Sequence, residues 1–232
     1  MSCFYNQLSG RENTEWANFW YDYANKAFSQ RCLMIGDSTG RQIRRSLSDA
    51  INMPVDFFGS SASLRDVFFW NQLDAFIKDS IYNKYNVAII WIGNHSRISL
   101  SGGQFEEQDY ARFAENFEKL LQYVQRICPN LIVLGSFNIV HSTGLHDLVH
   151  RLLHNLHIQI HSKINTEETK IVEAKNEIMR NVCTHYDTPF MDMNKMMSYT
   201  RFNRTDHIYF HNVSNKYQAT IIRDFIKKHY TL

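Results

Sequence analysis

No window of the 232 residues approaches the roughly 18 consecutive apolar residues of a membrane-spanning helix. Proline is scarce: Pro54, Pro129 and Pro189 are the three present, and none belongs to a Pro/Gly-rich linker that would mark a seam between domains. The four cysteines, Cys3, Cys32, Cys128 and Cys183, are scattered without C-x-x-C spacing. That pattern argues against a zinc site and against a small disulfide scaffold, and favours reduced thiols in a cytoplasm. Neither sign of charge dominates, with 25 Lys and Arg against 23 Asp and Glu. The densest basic spots, Arg41 to Arg45 and Lys227 to His229, are too short to form the stripe that a nucleic-acid backbone requires. Met1 to Asn13 lacks the basic and apolar regions of a secretory signal, so the expectation is a soluble cytoplasmic protein.

What is present is ordinary globular material, 44% apolar and 21% charged, enough for one domain over residues 1–232. Short apolar runs read as buried strands: Cys32 to Ile35, Val55 to Phe58, Val87 to Ile92, Leu131 to Leu134 and Phe190 to Asp192. Segments of helical period lie between and after them, at Arg41 to Ile51, Leu64 to Ile81, Glu107 to Ile127, Glu167 to His185 and Ser214 to His229. Each proline stands at the entrance to a strand, where its missing N–H is tolerated. The alternation predicts a three-layer α/β/α sandwich with a parallel, flavodoxin-like central sheet. Within residues 1–30, Trp16, Phe19, Trp20, Tyr23 and Ala27 recur at helical spacing and predict an added N-terminal helix.

Open α/β sheets bind ligands beyond the carboxyl ends of their strands, which directs attention to the loops Gly36 to Gly40, Gly59 to Ser63, Gly93 to Ser99 and Ser136 to Ser142. The first runs from strand to helix as Gly36-Asp37-Ser38-Thr39-Gly40-Arg41. A serine there sits where helix N–H groups and the helix dipole favour developing negative charge. The competing explanation is plain helix capping, for which Asp and Ser are both common.

Four blocks in sequence order resemble the SGNH (GDSL-like) hydrolases, a family of serine esterases and acyltransferases. Leu33 to Ser38 resembles the first block. Phe58 to Ser63 resembles the second, with the family's glycine at Gly59, or at Ala62 in a shifted register. Ile89 to Ser96 resembles the third, usually Gly-x-Asn-Asp; strict spacing puts His95 at the family's asparagine, while Asn94 carries the same chemistry one place early. Asn176 to Met179 and Thr188 to Asp192 resemble the helix and short strand before the last block. That block, usually Asp-x-x-His, corresponds to Asp206 to Tyr217, where alignment of Tyr217 selects His211 as base.

The resemblance implies acyl transfer through a covalent acyl-Ser38, with His211 as general base and no metal or cofactor. The oxyanion donors would be the amides of Ser38 and Gly59 and the side chain of Asn94 or His95. Ile208 stands three residues before His211, where the family has aspartate, so three arrangements stay open. A bulge brings Asp206 to His211, His207 is the base instead, or a backbone carbonyl orients the histidine. Asp206 is favoured, because the base needs an acceptor on its second ring nitrogen. The expected substrate is a small-molecule or glycan ester of a short acyl group such as acetyl, with transfer of that group to a glycan and non-catalytic binding as alternatives.

His146, His150, His154, His157 and His161 recur at spacings of four, four, three and four. On an ideal helix they span an arc of about 80°. No carboxylate or cysteine joins them, and packing at the border of an apolar face is favoured over metal binding. This stretch falls in a segment, 144–164, longer than the family's usual connection and expected to be an insertion.

Overall fold

The computed structural model describes residues 14–79, 85–92, 107–137, 166–197 and 212–231. Six strands form one sheet: β1 (Ala17–Trp20), β2 (Cys32–Gly36), β3 (Val55–Ser60), β4 (Val87–Trp91), β5 (Leu131–Leu134) and β6 (Phe190–Met191). The helices are α1 (Ser38–Ile51), α2 (Val67–Asp79), α3 (Glu107–Ile127), α4 (Thr166–His185), α5 (Met193–Met196) and α6 (Asn212–His229). The strand order is β1-β3-β2-β4-β5-β6, and every pair except β1 with β3 is parallel. Leaving β1 aside, this is the flavodoxin-like 2-1-3-4-5 order, so the predicted architecture is the observed one.

Alternation along the strands divides the core in two. Leu33, Ile35, Phe58, Ile90 and Val133 face α2, α3 and α4, whose Phe76, Phe117, Leu121 and Met179 complete one layer. Met34, Phe57, Ile89, Ile132 and Leu134 face the other way, against Ile43, Leu47 and Ile51 of α1 and Ala219, Ile222 and Ile226 of α6. Strands covered on both faces are apolar at nearly every position, Asp56 of β3 being an exception, which is why they read as near-continuous runs.

The predicted N-terminal helix is corrected. Residues 14–30 contain no helix; Ala17–Trp20 is a strand that closes the edge of the sheet, pairing Ala17 with Ser60 and Trp20 with Phe57. Phe19 decides between the two periods. A helix would put Trp16, Phe19 and Trp20 on one face, but Phe19 packs on Phe58 and Phe76 while Trp20 lies on the opposite side against Phe57. On that side Trp16 and Trp20 stack under the guanidinium groups of Arg41 and Arg44 in α1, at 4.9 and 4.8 Å. Residues 144–164, with the histidine stripe, lie outside the described residues.

The far end of the sheet from the α1 N-terminus carries a buried ion pair. Arg31, just before β2, donates from Nε to Asp56 Oδ2 of β3 at 2.9 Å, and its Nη2 bonds both Asp56 Oδ1 and the Asp22 carbonyl. Asp22 N–H returns a bond to Asp56 Oδ1 at 3.1 Å, tying the turn after β1 to the parallel strands.

Candidate active site

The register places Gly36 of β2 between Gly59 of β3 and Trp91 of β4. The three chains therefore leave the sheet side by side, into Ser38, Ser61 and Ile92. The connection from β2 runs through α1 on one face and that from β4 through α3 on the other. Their boundary is the topological switch point, the usual ligand crevice of an open α/β sheet.

Ser38 is the first residue of α1 and is buried. The residue that caps the helix is Asp37: its carboxylate accepts from Thr39 N–H at 2.8 Å, and its carbonyl accepts from Arg41 N–H at 3.0 Å. Neither bond uses the Ser38 hydroxyl or amide. The capping explanation offered by sequence thus belongs to Asp37, and the first turn of a 14-residue helix opens at Ser38.

Gly59 is the next-to-last residue of β3, in register with Gly36 on one side and Asn18 on the other. A Cβ there would lie 2.4 Å from Phe57 Cε1, so close packing of the Phe57 ring is one reason for glycine at this position. After β3 the chain is held by its own serines. Ala62 N–H donates to Ser60 Oγ at 3.0 Å, and Ser61 exchanges bonds with Trp16 at 2.9 and 3.1 Å. Ser61 also donates to Glu15 at 2.6 Å. Glu15 and Trp16, at the entrance to β1, thereby brace the second loop, a role invisible while this segment is read as a helix.

The exits of β4 and β5 are joined by side chains. Trp91 Nε1 donates to the Gly135 carbonyl at 3.2 Å, and Ser136 Oγ donates to the Ile92 carbonyl at 3.2 Å. Asn176 of α4 clasps Ser136, accepting from its N–H at 2.8 Å and donating to its carbonyl at 3.0 Å. Asp192, after β6, caps α5 and binds Arg180 at 2.8 Å. Nothing in the sequence signals this use of Ser136 and Asn176, because a side chain clasping backbone 40 residues away leaves no local pattern.

Helix α6 packs on α1 through the layer described above, and its first turns bury Ser214, Asn215 and Gln218. His211 and Asp206, His207, Asn94 and His95 lie outside the described residues, so of the seven candidate site residues the structure describes Ser38 and Gly59. Three cysteines are described, all unpaired and buried. Burial raises Cys128 to about 11 and Cys183 to about 12, and lifts Cys32 well above the ordinary thiol value, which leaves all three protonated at neutral pH. Among the described residues no cluster of His, Cys, Asp or Glu could hold a metal ion. No described helix is long and apolar enough to cross a membrane.

No protein-family model matches the sequence, and no curated protein matches it either. Solved structures do. An acetyl xylan esterase, AlAXEase, superposes with a TM-score of 0.56 at 12% identity, covering 87% of this chain and 100% of its own. A GDSL-like lipase from Bacteroides thetaiotaomicron gives 0.56 at 12% identity over 87% and 89% of the two chains. A variant of an acetyl-xylooligosaccharide esterase from Geobacillus gives 0.54 at 11% identity over 85% and 94%. The chain has the three-layer fold of the SGNH, or GDSL-like, hydrolases.

Proposed function

We propose that this chain is an ester hydrolase that removes a short acyl group, such as acetyl, from a carbohydrate or other alcohol. The observation that carries the reading is the placement of Ser38 at the first position of α1, at the switch point of the sheet, with the capping work done by Asp37. The fold shared with acetyl xylan esterases supports an acetylated carbohydrate as substrate. The start of α6 directly after His211, in a helix packed on the one that bears Ser38, supports His211 as the base.

In this mechanism Ser38 Oγ attacks the acyl carbonyl carbon while His211 accepts the hydroxyl proton, giving a tetrahedral oxyanion. The amides of Ser38 and Gly59 and the side chain of Asn94 or His95 hold that charge. Collapse breaks the bond to the alcohol, which leaves with the proton from His211. Water then attacks acyl-Ser38 with His211 again as base, and collapse of this second intermediate breaks the acyl–Oγ bond, releasing the acid while His211 returns the proton to Ser38 Oγ. Asp206 orients the His211 ring.

The test is release of acetate from an acetylated sugar and from an aryl acetate by wild type, Ser38→Ala and His211→Ala. Loss of at least a thousandfold in both variants, with the fold retained, is the expected result. Wild-type turnover in Ser38→Ala would sink the reading. Acyl transfer to an added sugar in preference to water would reassign the chain as an acyltransferase, and no turnover at all would favour a binding module.

A further inference from the structure

The exit of β4 is the place where the fold meets the proposed oxyanion loop, and its restraint is unusual. The β4–β5 ladder pairs Ala88, Ile89 and Ile90 with Leu131, Ile132 and Val133 and then stops. Past that point backbone pairing is replaced by two side-chain bonds, from Trp91 Nε1 to the Gly135 carbonyl and from Ser136 Oγ to the Ile92 carbonyl. We propose that Ser136 and Asn176 are positioning residues for the oxyanion donor, acting through the Ile92 carbonyl at the mouth of the third block.

Ser136 is itself held. The carboxamide of Asn176 is complementary to a peptide unit, and it bonds both the N–H and the carbonyl of Ser136, at 2.8 and 3.0 Å. Ser136 is 2% exposed and Asn176 3% exposed, so water cannot substitute for either bond. The clasp also needs Gly135, where a Cβ would come within 3.1 Å of Asn176 Oδ1 and of Phe190 Cζ. The order of transmission is then Asn176 to the Ser136 backbone, Ser136 hydroxyl to the Ile92 carbonyl, and Ile92 through Gly93 to Asn94 and His95. Asn94 and His95 follow Ile92 by two and three residues in the chain, so the covalent backbone is the link from that carbonyl to the donor. Oxyanion donors act by being fixed before the charge develops, and misplacement by about 1 Å can cost a hundredfold in rate.

This inference rests on the esterase reading, and the experiment separates the two. Full-length protein is assayed with an aryl acetate as wild type, Ser136→Ala, Asn176→Asp, and whichever of Asn94→Ala and His95→Ala is the more damaging, then as the double variants with Ser136→Ala and with Asn176→Asp. Asn176→Asp keeps the acceptor for Ser136 N–H and removes the donor to its carbonyl. Ser136→Ala should lower kcat about tenfold with KM nearly unchanged. In the background that already lacks the oxyanion donor, the same substitution should cost less than about twofold, since there is nothing left to position. Asn176→Asp should follow the same pattern, and it decides the matter if Ser136→Ala does not fold. Wild-type kcat in the variants, or a loss that multiplies in full on top of the donor variant, would overturn the positioning role while leaving the esterase intact. A wild-type protein without turnover would instead overturn the esterase reading beneath it.

Discussion

Alanine at position 59 would test how the second block is built. Its methyl carbon would lie 2.4 Å from Phe57 Cε1 and 2.6 Å from Cζ, against the roughly 3.5–4.0 Å of a relaxed carbon contact. The ring is fully buried, so it can yield only by displacing the core residues packed around it. A shift of about 1 Å in a packed core costs about 1–3 kcal/mol, or a melting temperature lower by roughly 2–12 °C in a chain of this size. The backbone at Gly59 is outside the left-handed region, so the penalty is steric and not conformational. Phe57→Leu, which removes the offending ring, should therefore relieve it. Urea unfolding of both single variants and the double should give a favourable coupling of about 1 kcal/mol or more. Turnover should recover with stability in the double variant, because alanine retains the amide N–H. A Gly59→Ala protein as stable as wild type, or one that Phe57→Leu fails to relieve, would refute this packing argument.

Two further outcomes follow from the described core. Asp56→Asn leaves the buried Arg31 charge without its counter-ion and should cost about 3–5 kcal/mol in urea unfolding, whereas Arg31→Met with Asp56→Leu should lose less than the single variant; equal losses would mean the ion pair is not the cause. Iodoacetamide at pH 8 should leave Cys32, Cys128 and Cys183 unmodified in the native protein, since burial holds all three thiols protonated, and mass spectrometry showing rapid native alkylation would contradict their placement.

Much of the fold was legible because parallel strands and amphipathic helices carry strong periods. Leu131–Leu134 and Glu107–Ile127 fall on the boundaries that sequence suggests, the other expected helices differ by a few residues at their ends, and the short α5 (Met193–Met196) is the one described helix without a sequence counterpart. Strand β1 was misread because Trp16 and Trp20, four residues apart, share a face in either a helix or a strand; the partner that selects the strand is the open edge of β3, which is not local information. Ser38 was legible as a candidate, yet only the structure separates its position from capping, by giving that work to Asp37. The Ser136–Asn176 clasp and the Arg31–Asp56 pair join residues 40 and 25 apart through contacts no periodicity records.

The central claim, that Ser38 is the nucleophile, is most directly tested by treating the native protein with a fluorophosphonate and mapping the adduct by peptide mass spectrometry. The account predicts one adduct per chain, on Ser38, absent from Ser38→Ala and formed far more slowly in His211→Ala. An adduct on Ser60, Ser61 or Ser63, or none on a protein that still hydrolyses esters, would contradict it.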